Sequence, residues 1–173
     1  MSNIMPHLPT VSPKRRLASL LYEGLLAAAI TVALGLPAGL ASMLLNPVSP
    51  LLSQIAVSLI MLAGWWFYFK LNWVKQGQTL PMRTWHIGLT DQTGSRPHHS
   101  RLRLRFMWAC VFIVFIPLLA YSALHGWGIP PKPAFGAAFF WWILPWGFAW
   151  FNADRQFLYD FLAGTRLVDL RKK

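Results

Sequence analysis

The sequence predicts an all-α membrane protein with four transmembrane helices. Three observations support this fold class: 55% of the 173 residues are hydrophobic, only 12% are charged, and the apolar residues cluster in four long runs. A membrane-spanning helix needs about 20 predominantly apolar residues, whereas a water-soluble domain would leave that much apolar surface facing water. We therefore expect one membrane domain that includes residues 1–173.

The four apolar runs define the expected transmembrane helices. They cover residues 17–45, 51–69, 106–124 and 134–151. The first run is longer than a bilayer requires, so we expect it to tilt or to bend at Pro37, which removes one backbone hydrogen bond. Gly35 and Gly39 flank this proline with a spacing that permits close helix contact. Three prolines within residues 1–15 predict a flexible tail before the first helix.

Basic residues mark the side of the membrane that we expect to be cytoplasmic. The chain has 16 Lys and Arg against 5 Asp and Glu, a formal net charge of +11. Most of the basic residues lie near the chain ends and in the segment 70–105, away from the apolar runs. This distribution favours contact with an anionic membrane surface over nucleic acid. By the positive-inside rule the N-terminus, the loop 70–105 and the tail 152–173 are cytoplasmic.

The cytoplasmic loop contains one short element and a row of arginines. Residues 85–89 alternate between apolar and polar side chains, which predicts a strand or an interfacial hairpin that ends at a turn over residues 91–94. Arg101, Arg103 and Arg105 then lead into the third apolar run. We expect this row to form a surface for anionic lipid or for another membrane protein.

The C-terminal tail is expected to carry a short helix at the membrane surface. Apolar residues recur at helical spacing between positions 157 and 162. Gly164 would end this helix, and residues 165–168 would then be extended.

Four charged residues are candidates for a functional site. A charge in the middle of a transmembrane helix costs about 3 kcal/mol on insertion scales, so Glu23 needs a partner, water or a proton. Arg16 lies on the same helix face, about 10 Å away along the axis. Asp154 and Asp160 are expected on the same side of the membrane, which allows a joint network of all four. Glu23 is then either a proton or cation site, or a structural ion-pair residue near the interface.

No pattern in the sequence points to catalysis or to a cofactor. The chain has no zinc-protease helix motif, no phosphate-binding glycine loop and no serine nucleophile elbow. His98 and His99 lack further ligands at metal-binding spacing, so a solvated pair in the loop is favoured over a metal site. We therefore expect a protein that is not an enzyme and that uses neither a metal nor a cofactor.

Three segments, taken in order, resemble the RDD family of bacterial membrane proteins, which is named for one arginine and two aspartates. The stretch RRLASLLYEGLL resembles the first family helix, with Arg16 or Arg15 at the arginine and Glu23 at the first aspartate. The stretch GQTLPMRTWHIGLTDQTG is similar to the family's loop, with Pro81 where glycine is commoner. The stretch DRQFLYDFLAGTRLV places the second aspartate at Asp160. Together the segments extend over most of the chain.

The resemblance implies a multi-pass protein of the bacterial inner membrane, and the charge rule adds that both termini are cytoplasmic. The activity usually suggested for the family is transport of ions or small solutes. Four helices form only a thin pathway, so a transporter of this size would work as a homo-oligomer. The alternative is a non-transporting scaffold or accessory protein that binds another membrane protein or anionic lipid. In either case the lipid bilayer is the principal partner, and no nucleic acid is expected.

Overall fold

The computed structural model describes residues 9–171 and is predominantly helical. Within these residues, four helical segments are long and apolar enough to cross a membrane: Pro13–Leu45, Pro50–Gln76, His99–Gly126 and Pro131–Phe151. Each contains one predicted apolar run and extends beyond it at one end or at both, because backbone hydrogen bonding continues into the flanking residues. The predicted fold class, a four-helix membrane protein with a small strand element, is confirmed.

The elements follow a simple order along the chain. They are α1 Pro13–Leu45, α2 Pro50–Gln76, α3 Leu80–Thr84, β1 Ile87–Asp91, α4 His99–Cys110, α5 Ile116–Gly126, α6 Pro131–Phe139, α7 Ile143–Phe151, α8 Leu158–Leu162 and β2 Thr165–Asp169. A π-helical turn joins α4 to α5, and a 3-10 turn joins α6 to α7, so each pair forms one span. The structure divides into a first unit, residues 14–85, and a second unit, residues 9–13 with 86–171.

In the first unit, α1 and α2 form an antiparallel helical hairpin that polar side chains hold together. Trp65 Nε1 donates a hydrogen bond to Thr31 Oγ1 at 3.0 Å, and Ser53 Oγ donates to Ser42 Oγ at 3.3 Å. Lipid tails are as apolar as leucine, so apolar contact alone gives two helices little reason to associate in a membrane. Hydrogen bonds such as these therefore contribute to the pairing of α1 with α2.

The tight packing in this hairpin involves Gly64 and not the glycine pair of α1. A Cβ on Gly64 would overlap the side chain of Leu34, whereas nothing lies within 4 Å of a Cβ placed on Gly35 or Gly39. The close helix contact that the spacing of Gly35 and Gly39 permits is therefore not formed within residues 9–171. Helix α1 continues through Pro37 without interruption.

The second unit contains the small sheet. β1 pairs with β2 in an antiparallel register that runs from Ile87 opposite Asp169 to Asp91 opposite Thr165. The predicted short strand is confirmed, but the hairpin alternative is wrong. The chain after the turn at residues 91–94 proceeds into α4 without a second strand, so the partner strand comes from the C-terminal tail.

The predicted flexible tail, residues 1–15, needs a partial correction. Residues 1–8 lie outside the described part of the chain. Beyond them, Thr10 forms a β-bridge with Val168, and Val11 is fully buried. Pro13 then begins α1, a favoured position for proline because its missing N–H would have no partner in the first turn. Residues 9–15 are therefore structured, not a flexible tail.

The C-terminal elements have the predicted order. α8 is followed by Gly164 at φ +64°, and β2 begins at the next residue. This backbone conformation strains any residue that carries a Cβ, which explains a glycine at the helix end. Phe161 on α8 contacts Phe148 on α7, with ring centroids 5.3 Å apart. α8 is thereby packed against the end of the fourth span.

The third span contains its π-helical turn directly before Pro117. Proline has no N–H, so in a regular α-helix the carbonyl of Ile113 would lose its donor. The indole Nε1 of Trp142, on the fourth span, donates to that carbonyl at 2.9 Å. The N–H of Ile116 reaches the carbonyl of Val111, the five-residue step of a π-helix. The hydrogen bond from Trp142 therefore joins the two spans where the helix is irregular.

We predict that Trp142→Phe lowers the free energy of unfolding by about 0.6–1 kcal/mol, because the carbonyl of Ile113 loses this donor. Pro117→Ala restores a backbone N–H, so the Trp142 change should cost less in that background. A double-mutant cycle on purified protein unfolded in detergent measures the coupling. Strictly additive effects would contradict the assignment, and Trp141→Phe, a change in an exposed neighbouring ring, serves as the control.

Candidate functional site

The structure places the predicted acidic residues in different surroundings. The Glu23 cluster lies in the first unit and consists of Glu23, Tyr68 and Thr79. The Asp160 cluster lies in the second unit and comprises Asp160 and its side-chain partners. Each cluster is built by its own unit.

Glu23 accepts hydrogen bonds from two hydroxyl groups. The hydroxyl of Tyr68 donates to Oε1 at 3.1 Å, and the hydroxyl of Thr79 donates to Oε2. Tyr68 lies on α2 and Thr79 immediately precedes α3, so the carboxylate connects three helices of the first unit. A hydroxyl group donates to an ionised carboxylate and accepts from a protonated one. The cluster can therefore accommodate Glu23 in either protonation state.

Local sequence positions Thr79 for this contact. α2 ends at Gly77, which has φ +66° and whose N–H donates to the carbonyl of Trp73 at 3.0 Å. Two residues later the oxygen of Thr79 caps α3 by accepting from the N–H of Met82 at 3.4 Å. Thr79 is only 1% exposed. Its one hydroxyl thus caps α3 and donates to Glu23.

Helix lengths place the Glu23 cluster at the edge of the hydrocarbon layer. α1 and α2 are joined by a short turn, so both enter the membrane at the same level there. A bilayer core takes about 20 helical residues, and that length counted from this turn ends at Leu26 on α1 and at Phe69 on α2. Glu23 and Tyr68 lie close to these limits. The charge of Glu23 is therefore less costly than a charge at the middle of a span.

Arg16 and Arg15, the two candidates for the family arginine, differ in their surroundings. Arg16 is 2% exposed although it lies near the start of α1. The guanidinium of Arg15 is partly exposed and donates to the backbone carbonyl of Trp85. A buried guanidinium is rare unless the fold requires it. The burial therefore favours Arg16 as the counterpart of the family arginine.

Asp160 forms a buried ion pair with Arg105. Arg105 Nε donates to Asp160 Oδ1 at 2.6 Å, and the two side chains are 9% and 0% exposed. The hydroxyl of Thr165 lies 3.4 Å from the same oxygen, and the Arg105 guanidinium lies 5.9 Å from the ring centre of Tyr159. The pair connects the start of the third span to α8 and β2. It therefore anchors the C-terminal tail.

The three arginines predicted to form one lipid- or partner-binding surface do not share an exposed face. Arg101, Arg103 and Arg105 lie on α4, where residues four apart share a face and residues two apart point to different sides. Arg105 is buried against Asp160, and Arg101 Nη1 donates to the carbonyl of Gly164 at 2.8 Å. Of the three, only Arg103 is exposed. The alternation of Arg with Leu would put the three arginines on one side of an extended strand. In a helix the same spacing directs Arg103 away from Arg101 and Arg105.

Asp154 does not share the surroundings of Asp160. It forms an ion pair with Arg166 on β2, and the two side chains are 47% and 27% exposed. An exposed pair contributes little to stability because water screens both charges. The two aspartates of the proposed four-residue network thus have separate arginine partners.

Asp91 is the acid that holds the turn after β1. Its Oδ1 accepts from the N–H and hydroxyl of Thr93 at 2.8 and 2.6 Å and from the N–H of Ser95 at 3.0 Å. Burial alone would raise the pKa of Asp91, but these hydrogen bonds and the charge of Arg101 bring that pKa below its usual value. The carboxylate therefore stays ionised and belongs to the turn.

The sequence interpretation did not identify Tyr68, Thr79 or Arg105 as partners of the acidic residues. Thr79 carries a signal, since a threonine two residues before a proline is typical of a helix start. Tyr68 is the one hydroxyl in an aromatic cluster, and Arg105 repeats Arg101 at helical spacing. None of these signals indicates which acidic residue each side chain contacts.

We predict that Arg105→Ala lowers the free energy of unfolding by about 3 kcal/mol or more, because the buried carboxylate of Asp160 loses its cation. Arg103→Ala removes the same charge two residues away at an exposed position and should change stability by less than about 0.5 kcal/mol. Thermal unfolding in detergent compares them. Combining Arg105→Met with Asp160→Leu should recover much of the loss, and equal losses in the two single variants would refute the ion-pair assignment.

We predict that Gly77→Ala lowers the free energy of unfolding by about 1 kcal/mol, because a Cβ is strained at positive φ. Gly24→Ala is the matched control in the same unit. Nothing lies within 4 Å of a Cβ at that helical position, and alanine is the better helix former, so this change should be neutral or stabilising. Chemical unfolding of both variants gives the comparison, and a Gly77 variant as stable as the Gly24 variant would show that the turn adapts.

Comparisons with known proteins bear on the identity of the chain. The model of the RDD family matches residues 10–164, which is most of the sequence. No curated protein and no solved structure matched the chain. The matched range includes the Glu23 cluster as well as Arg105 and Asp160. The chain therefore belongs to the RDD family.

Proposed function

We propose that this RDD-family membrane protein transports ions or small solutes, and that Glu23 is the group that takes up a proton or a cation during transport. The observation that carries the proposal is the Glu23 cluster, in which hydroxyl groups on two other elements bind a carboxylate of a transmembrane helix. Ionisable residues in transmembrane segments are rare, and they often mark proton and ion pathways.

The chemistry of the Glu23 cluster suits exchange of a proton or a small cation. The two carboxylate oxygens and the hydroxyl oxygens of Tyr68 and Thr79 are all ligands that hard cations prefer. Protonation of Glu23 would turn the acid into a donor and reverse one hydrogen bond without breaking the cluster. The edge of the hydrocarbon layer is also where a charged species enters from water.

The Asp160 cluster is less suited to this task. Its carboxylate is fully buried, and the guanidinium of Arg105 already balances its charge. Removing that partner or adding a proton would leave an unbalanced charge in a buried place, which is unfavourable. We assign Asp160 the structural role of attaching the tail to the third span.

We further propose that the protein resides in the bacterial inner membrane with both termini in the cytoplasm. An even number of spans puts both ends on one side, and the basic residues between α2 and α4 support the cytoplasmic assignment. A pathway between four helices is thin, so we expect the transporting form to be a homo-oligomer.

A scaffold or accessory role is the second candidate. The observation in its favour is the closed Arg105–Asp160 pair, which holds the tail in one place, as a static binding platform requires. The basic surface expected from the arginine row gives this role less support. Arg101 and Arg105 contact other parts of the protein, and of the three arginines only Arg103 is exposed.

Replacing Glu23 by Gln should abolish cation-coupled proton flux, because an amide neither releases a proton nor balances a cation. Full-length protein reconstituted into proteoliposomes with an internal pH-sensitive dye, challenged with sodium, potassium and lithium salts, measures this flux. Tyr68→Phe keeps the carboxylate but removes one hydroxyl, so flux should fall without disappearing.

Asp91→Asn is the control for charge, since it neutralises a carboxylate in a loop turn and should leave flux unchanged. Equal flux in wild type and Glu23→Gln would contradict the role of Glu23. An absence of flux in wild type with every salt would contradict transport of these ions and favour the scaffold role.

A further inference from the structure

We propose that the exposed side of α3 binds the headgroups of anionic phospholipids. The term α3 surface denotes the exposed side chains of Leu80 and Arg83, which share a face of α3, of Trp85, which follows the end of α3, and of Lys75 at the end of α2. The proposal does not depend on transport, since it concerns a surface and not the Glu23 cluster.

Contacts with α1 fix both ends of α3. Thr79, the residue before α3, donates a hydrogen bond to Glu23 at the edge of the hydrocarbon layer. At the other end, the carbonyl of Trp85 accepts from the guanidinium of Arg15. Arg15 and Glu23 lie eight residues apart on α1, about 12 Å along its axis. α3 is therefore held in the zone just outside the hydrocarbon, where lipid headgroups lie.

α3 and the residue that follows it combine buried and exposed side chains. Pro81 and Met82 are buried, whereas Leu80 is 46% exposed, Trp85 is 36% exposed and Arg83 is exposed. Exposed apolar residues would be unfavourable in water, but the combination of leucine, tryptophan and a basic residue is typical of helices at a membrane interface. The exposed side thus has the composition expected of a lipid contact.

The first unit carries an excess of positive charge. The first unit has six basic residues and one acid: Lys14, Arg15, Arg16, Lys70, Lys75 and Arg83 against Glu23. Within residues 9–171, no ion pair involves the side chain of Arg83 or Lys75. Both side chains are exposed. Phosphate groups of anionic lipids at the same level supply the missing negative charge.

The experiment measures how lipids stabilise the purified full-length chain in detergent. Phosphatidylglycerol and phosphatidylcholine, added at matched concentrations, are compared by the shift in Tm. Wild type should show a larger upward shift with phosphatidylglycerol. The double variant Lys75→Gln with Arg83→Gln should lose most of this additional shift, while Lys75→Arg with Arg83→Lys should retain it.

Arg96→Gln with Arg103→Gln is the matched control, because it removes two exposed basic residues outside the α3 surface. This variant should keep the additional shift. Equal losses in the two Gln variants would indicate diffuse attraction and overturn the proposal. So would equal shifts with both lipids in wild type.

Two further measurements test the chemistry of the ligand. Added NaCl should reduce the phosphatidylglycerol effect, because salt screens exposed charges, and a salt-independent shift would overturn the electrostatic part. Soluble glycerol phosphate has no acyl chain beside Leu80 and Trp85 and should give no shift. A shift as large as that of the lipid would identify a free phosphate site and overturn the membrane assignment.

Discussion

The structure depends on one constraint: a polar group inside a membrane must find its partner within the protein, because lipid tails offer none. Thr31 and Trp65 satisfy each other across the first helical hairpin. In the second unit, Trp142 donates to the carbonyl that Pro117 would leave without a helical donor. These contacts determine which helix faces meet, since apolar faces alone distinguish poorly between a neighbouring helix and lipid.

The same constraint separates the two acidic clusters by chemistry. Glu23 accepts hydrogen bonds from the hydroxyl groups of Tyr68 and Thr79, which can also accept from the protonated acid, and it lies near the edge of the hydrocarbon layer. Asp160 is bound by the guanidinium of Arg105 in a place without solvent, and this contact fixes its position. One carboxylate is therefore suited to exchange with the medium, and the other to holding the tail against the third span.

The segment from Gly77 to Trp85 links the proposed ion site to the proposed lipid surface. Gly77 turns the chain at the end of α2, Thr79 binds Glu23, and α3 follows directly. A lipid that contacts α3 therefore acts on a helix whose first hydrogen-bonding residue also contacts the acidic group. Although α3 has only five residues, it thus holds Thr79 in place against Glu23.

The sequence by itself determined the four spans, the strand at β1, the tail helix and the stop at Gly164, because each follows from local periodicity, from composition or from a glycine just after a helical pattern. It also indicated Glu23 and Asp160 as residues that need explanation. Only the tertiary structure decided their partners. Tyr68, Thr79 and Arg105 lie 45 to 56 residues away from the acids they meet, and β1 pairs with a strand beyond two spans. Local pattern carries no information on such contacts, because they depend on which helix faces and ends the fold brings together.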